Sequence, residues 1–276
     1  MGIVGAFILP HGSMVLDHKK AKKQGAEELH IAMVSIAKQI KDLKPDLIFL
    51  TSPHGISNSN DFGIYLNKIA KCSAEWNDDY KEFSCKVQLD QEISEKLLNY
   101  LLDKETAISG IASYTPSMEI PLRWGEAVPL WFLKDLSAKF VIMSQPLKRI
   151  DMAKDMIPET LTLGNDLRLF FEKLNRRVVV IISADLAHTH LKEGPYGFNI
   201  AAASFDDLIG LWAGTLDESI LLKKVIPKLD KAKVCGYVGF VMLQGMIGKM
   251  KFQPKLHINK APTYYGMLIA DYTRKV

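Results

Sequence analysis

Four uninterrupted apolar runs constrain this 276-residue chain more than any other feature: GIVGAFIL at 2–9, DLIFLTS at 46–52, KFVIMSQ at 139–145 and RRVVVIIS at 176–183. A strand with one wet face alternates apolar and polar residues, whereas these runs are apolar on both sides, as strands covered by helices on both faces are. Between the first two, KKQGAEELHIAMVSIAKQIKDL at 22–43 carries apolar residues at Ile31, Met33, Val34, Ile36, Ala37 and Ile40, and KPD ends it, so it reads as an amphipathic helix. Strand, helix and strand in that order predict parallel pairing of the first two strands by a right-handed crossover.

The remaining segments extend the pattern. DFGIYLN and SCKVQLD read as outer strands, QEISEKLLNYLL as a short helix, and EAVPLWFLKDL as a helix that starts under its proline. A long helical region lies between Lys148 and Leu174, and CGYVGFVMLQGMIGKM is apolar all round, hence a buried helix. MKFQPKLHINK and YYGMLIADY read as a terminal hairpin. With no linker, repeat or low-complexity stretch, residues 1–276 are expected to form one α/β domain. It has a mostly parallel central sheet, helices on both faces and a C-terminal β-hairpin.

The net charge of +4 comes from lysines spread along the chain rather than gathered in a block, which argues against nucleic acid as a partner. Three cysteines, at 72, 85 and 235, do not make a disulfide framework. Cys72 and Cys85 flank a turn and could pair in an oxidising compartment, but reduced thiols are expected. The N-terminus MGIVGAFILP lacks the positive flank of a secretory signal, and no apolar run approaches the roughly 20 residues that span a bilayer. The expectation is a cytoplasmic protein without a membrane segment. The apolar stretch PLWFL suits a homo-oligomer contact or a core helix equally well.

Two of the apolar strands end in the same way. FILPHG puts His11, and FLTSPHG puts His54, between a proline and a glycine at a strand's carboxyl end. In open α/β sheets, ligands collect beyond that end, so both rings point at one rim. Imidazole is the commonest protein ligand for divalent transition metals, and glycine after each histidine lets the backbone turn sharply and leaves the ring unshielded. His18, His30 and His257 lack such a context and are expected to be structural.

A metal on two histidines needs a third ligand. Cys235, at the start of the buried helix, offers a thiolate favoured by the helix N-terminus, or else is a small buried apolar residue. ISADLAHTH adds Asp185, His188 and His190 past another buried strand, and Asp185 could pair with His188 to fix its tautomer. The same groups allow a Ser-His-Asp hydrolase with Ser183 or Ser52 as nucleophile, but no G-x-S-x-G elbow supports it. Nor does a G-x-G-x-x-G or a P-loop follow any strand, so nucleotide binding has no anchor.

LPHG at 9–12, SPHG at 52–55, SADLAHTHLKEGPYGFNIAAASFDDLI and CGYVGFVMLQGM, in that order, resemble the class III extradiol dioxygenase superfamily. That is the fold of the protocatechuate 4,5-dioxygenase (LigB-like) catalytic subunit. The likeness runs from residue 3 to about residue 270 and is strongest to the Memo-related branch of dioxygenase-like proteins, associated with AMMECR-type and radical SAM partners. The resemblance implies a metal-dependent non-haem oxidoreductase acting on a catechol-like aromatic with O₂, or a Memo-like metal-binding interaction or redox protein without ring cleavage. By motif, His11 and His54 take the imidazole positions around Fe(II), and His188 takes the acid/base position with Asp185 orienting it. Cys235 falls where ring-cleaving members place a glutamate, and a thiolate suits Zn or Cu at least as well as Fe(II). Those members also tend to carry Asp-His-Gly where this chain has Arg123-Trp124-Gly125, so an auxiliary histidine is replaced by Trp124. A zinc-dependent hydrolase with His188 as base is a third implication.

Overall fold

A computed structural model describes residues 1–274. In chain order the elements are β1 (Gly2–Leu9), α1 (His18–Lys23), α2 (Glu27–Asp42), β2 (Leu47–Ser52), β3 (Phe62–Tyr65), β4 (Ile69–Ser73), β5 (Ser84–Gln88), α3 (Gln91–Leu102), β6 (Ile108–Ile111), β7 (Glu119–Leu122), α4 (Trp124–Leu133), β8 (Lys139–Ser144), α5 (Arg149–Met152), α6 (Ile157–Glu172), β9 (Arg177–Ser183), α7 (Ala201–Thr215), α8 (Leu229–Ala232), α9 (Tyr237–Ile247), β10 (Phe252–Lys260) and β11 (Met267–Arg274). Eight strands form the central sheet in the order β10-β11-β1-β9-β2-β8-β3-β6. β1, β9, β2 and β8 are mutually parallel, and β10 and β11 form the C-terminal hairpin, with β11 antiparallel to β1.

The four apolar runs are the four parallel strands at the middle of the sheet, buried almost throughout. Their residues feed two cores. One lies under α3, α6, α7 and α9, the other under α2, α4 and a second, three-stranded sheet β5-β4-β7. The expected direct pairing of β1 with β2 is corrected: β9 lies between them and pairs with both. Strand, helix, strand periodicity reports parallel direction but not adjacency, and a third parallel strand fits into the gap.

Local corrections have local causes. The predicted helix at 22–43 is two helices, α1 and α2, because Gly25 at φ +72° breaks the chain between them. Its buried stripe is Leu29, Met33, Ile36 and Ile40, spaced by three and four, while Ile31 and Val34 are about half exposed. The region 148–174 likewise divides into α5 and α6. SCKVQ lies in the small sheet rather than beside the central one, and β4, β6 and β7 carry no clear pattern. PLWFL is in a core helix, with Leu130 and Leu133 buried.

α4 begins at Trp124, five residues before the Pro129 expected to start it. Proline has no N–H to offer the carbonyl four residues back, so the Gly125 carbonyl loses its helical partner. That orphan acceptor is used at the site below. On the opposite face, α6 and α9 touch backbone to backbone. A Cβ on Gly164 would lie 2.2 Å from the Met242 carbonyl oxygen. This close packing seats the middle of α9, the helix that begins two residues after Cys235, against α6.

Candidate metal centre

Because β9 separates β1 from β2, and strands in a sheet are about 4.8 Å apart, the ends of β1 and β2 lie about 10 Å apart. Their histidines lean toward each other over the end of β9, with ring centroids 4.8 Å apart and planes nearly perpendicular. Cys235 arrives from the start of α9. One ligand atom each of His11, His54 and Cys235 lies within 4.8 Å of the others. The Cys235 sulfur is 3.5 Å from Nε2 of His11. The structure thus brings together the three residues assigned as metal ligands from sequence. Two imidazoles and a thiol make a borderline-soft donor set, suited to Fe, Zn or Cu rather than to Mg or Ca.

His11 is the fixed member. It is 2% exposed. Its Nδ1 lies 3.1 Å from the Ser183 hydroxyl, and that hydroxyl donates its own proton to the orphaned Gly125 carbonyl. Ser183 can therefore only accept from the ring, so Nδ1 carries the proton and Nε2 presents a bare lone pair toward the centre. Pro129, Gly125, Ser183 and His11 form one chain of cause from a helix proline to a ring tautomer. Burial first, then the neighbouring imidazoles and the Arg149 charge, hold both histidines well below the usual imidazole range, His54 at about 3. Both are neutral at neutral pH, as metal ligands must be.

Two readings of Asp185 and Cys235 are corrected. Asp185 does not pair with His188. Its Oδ1 accepts the His11 backbone N–H at 3.1 Å, and its Oδ2 lies 3.3 Å from His11 Nε2. Burial without a hydrogen-bonded cation pushes its carboxyl up to about 8. The Cys235 thiol is not lowered by the helix N-terminus. Burial first, and the nearby Asp185 second, push it well above the ordinary thiol range, and Arg149 offsets this only in part. In the metal-free site desolvation outweighs the helix dipole.

His188 takes its orientation from backbone instead. Its Nδ1 donates to the Leu186 carbonyl at 2.8 Å, which leaves Nε2 unprotonated, and burial brings its pKa down to about 4. Its ring stacks on Tyr265 with centroids 5.5 Å apart. The loop that carries it is held by Asp206, which accepts the Ala187 N–H at 3.0 Å and pairs with His190 at 2.7 Å. His30 and His257 have the structural partners expected of them, the Val15 carbonyl and Asp271.

The glycines of the two Pro-His-Gly turns serve a different purpose from the one expected. Neither has a positive φ. Each makes room: a Cβ on Gly12 would lie 2.6 Å from the Tyr265 hydroxyl, and one on Gly55 would lie 2.3 Å from a Glu126 carboxylate oxygen. Glu126 is fully buried and accepts from the Tyr65 hydroxyl at 3.2 Å, and Tyr65 in turn accepts the Ile56 N–H at 2.8 Å. This pair buttresses the loop that carries His54.

A cavity of about 530 Å³ opens over His11 and His54 and over Asp185 and His188, walled by Trp76, Tyr80, Trp124, Tyr196, Tyr264 and Tyr265. Trp124 leans on His54 at 5.4 Å and on Trp76 at 4.5 Å. Sequence reasoning missed these walls other than Trp124, and it missed Arg149, because single aromatics and arginines carry no spacing signal. The role of Ser183 was legible in part: Pro129 four residues after Gly125 announces an unsatisfied carbonyl. Ser183 is committed to two partners, and the Ser52 hydroxyl accepts the His54 N–H at 3.1 Å, so neither is poised as a nucleophile. No helix among the described residues is long and apolar enough to cross a membrane.

Comparison with known proteins agrees with this geometry. Protein CA_C1420 of Clostridium acetobutylicum is 24% identical over 269 residues, covering 93% of this chain and 54% of that protein, so the chain spans about half the length of the curated relative it matches. A solved structure of an uncharacterized Escherichia coli K12 protein, JW3007, superposes with a TM-score of 0.62 at 13% identity, over 97% of this chain and 99% of that one, and shows a shared fold. The family model described as the catalytic LigB subunit of aromatic ring-opening dioxygenase matches residues 5–268, which takes in every candidate ligand named above. The chain belongs to that family.

Proposed function

We propose that this protein is a metal-dependent non-haem oxidoreductase that opens a catechol-like aromatic ring with O₂. The observation that carries the reading is the convergence of His11, His54 and Cys235 at an aromatic-walled cavity that both histidines line, with an unprotonated His188 Nε2 on its wall. A divalent metal held there, Fe(II) by family, supplies Lewis acidity and a path for electron density between substrate and O₂. The chain's own residues do the rest. Trp124 and Tyr265, among the aromatic walls, offer apolar faces to a planar ring and limit water around it. His188 Nε2 takes the proton of a substrate hydroxyl and returns it later, while its Nδ1–H stays on the Leu186 carbonyl.

The test is anaerobic loading with Fe(II), addition of a panel of catechols, then admission of air. Oxygen uptake with a yellow muconic semialdehyde supports ring opening. His188→Ala is expected to keep stoichiometric metal and lose turnover.

A second reading, a Memo-like metal-binding interaction or redox protein without ring cleavage, is favoured by two specific residues. Cys235 stands in the glutamate position, and Trp124 stands over His54 where relatives carry an auxiliary histidine. Silence across the catechol panel with tight Zn or Cu retention supports it. The clostridial relative is nearly twice as long. That extra length accords with a partner, of the AMMECR or radical SAM type by family, working beside this domain in the cytoplasm. Co-purification from the native host tests this.

A further inference from the structure

We propose that Asp185 is a fourth donor to the metal, through Oδ2, so that the centre is built from two imidazoles, one thiolate and one carboxylate. The inference rests on the His11, His54 and Cys235 reading of the site and goes beyond it.

The first argument is from lone pairs. His11 Nδ1 holds the ring proton because its Ser183 partner can only accept, so Nε2 is bare. Asp185 Oδ1 is occupied by the His11 N–H, so Oδ2 is the free oxygen, and it faces that bare nitrogen at 3.3 Å. In the metal-free site burial keeps a proton on the carboxyl, which Oδ2 can donate to that nitrogen, and a divalent ion bound at the same point takes that proton's place. The Cys235 sulfur, 3.5 Å from the same Nε2, adds a third electron-rich atom to the same point.

The second argument is from distance. Metal–nitrogen and metal–oxygen bonds of about 2.0–2.2 Å set at tetrahedral angles give an N···O edge of about 3.3–3.5 Å, and a metal–sulfur bond of about 2.3 Å gives an N···S edge of about 3.5 Å. The observed separations, 3.3 and 3.5 Å, are those two edges. His54 is the member that must lean inward to close the set.

Charge gives the third argument. A thiolate and a carboxylate neutralise a divalent ion, whereas a thiolate alone leaves a net charge in a buried place beside Arg149, itself 8% exposed. A tetrahedral ion held by all four is full, so a ligand enters only when the carboxylate lets go or when the metal accepts a higher coordination number.

Asp185→Asn is a discriminating variant. The amide oxygen can still accept from the His11 N–H and keep the turn in place, while the amide N–H₂ caps the His11 lone pair that a metal would need. Zinc and cobalt affinities of Asp185→Asn, Cys235→Ala and His54→Ala are compared with the unaltered protein by competition with a chromophoric chelator. Thermal melts of the metal-free forms confirm folding. Asp185→Asn is expected to bind at least about tenfold more weakly, with an unchanged or raised melting temperature. If Cys235→Ala and His54→Ala lose metal while Asp185→Asn keeps its affinity within twofold, the carboxylate assignment is wrong and the three-ligand site stands. If none of the three loses affinity, the site itself is wrong. A crystal structure of the zinc-loaded unaltered protein decides independently of any variant. Oδ2 at about 2.0–2.2 Å from zinc supports the assignment, and water in the fourth position with Oδ2 elsewhere overturns it.

Discussion

The turn after β1 and the turn after β2 share the sequence Pro-His-Gly but not the surroundings. His11 is locked, with Nδ1 on Ser183, its backbone N–H on Asp185, and 2% of its surface exposed. His54 makes no ring hydrogen bond among the described residues. It leans on Trp124, and its loop is held from beneath by Tyr65 and Glu126. One turn presents a fixed candidate ligand, the other an adjustable one. Identical tripeptides fix where a histidine sits, while the neighbours brought by distant segments decide how firmly it is aimed.

The largest expected effect comes from removing either ring. His11→Ala and His54→Ala should each abolish stoichiometric metal in purified protein, measured by elemental analysis. Retention of full metal by a double variant would break the site and the comparison together.

The buttress beneath the second turn should be visible as pH dependence. Burial raises Glu126 from the usual carboxylate range to about 7, so between those values the folded protein binds more protons than the unfolded one. Stability should therefore fall as pH rises toward 7 and level off above it, by up to about 3 kcal/mol. Glu126→Gln should flatten that part of the curve in denaturant titrations at several pH values. An unchanged slope in the variant would clear Glu126 of the role.

Next is the lock on the first turn. Ser183→Ala frees the His11 tautomer and leaves the Gly125 carbonyl unpaired, which should weaken zinc binding by about 10- to 100-fold. Because His54 has no equivalent partner, Ser52→Ala should cost much less. Equal losses would erase the distinction between the turns.

The smallest effects concern the glycines. Gly55→Ala drives a Cβ into Glu126 and Tyr65 and should destabilise by about 1–3 kcal/mol. Gly12→Ala presses on the Tyr265 hydroxyl at the cavity wall, where the ring can give way, and should shift the melting temperature less.

Much of this molecule is legible in its residues. The four apolar runs announce a covered parallel sheet, and the repeated Pro-His-Gly announces two rings at its carboxyl edge. Cys235 is legible as one of two readings from its place before a buried helix, and family likeness chooses the ligand over the buried apolar residue. What sequence hides is adjacency. Nothing in GIVGAFIL or DLIFLTS says that RRVVVIIS lies between them, and that insertion decides that Asp185 serves His11 rather than His188. The aromatic wall is hidden for the same reason: Trp76, Trp124 and Tyr265 meet only after the sheet has formed. Gly12 and Gly55 were recognised as necessary, but as hinges, when in fact they are clearances.

The placement of β9 also orders events in time. Residues 177–183 complete the middle of a sheet whose flanking strands were synthesised more than a hundred residues earlier, and residue 235 follows later still. A nascent chain that has made both histidines has neither Ser183 to set a tautomer nor a sulfur to share a cation. Such long-range closure slows folding, and the three candidate ligands meet only once β9 and α9 are both in place.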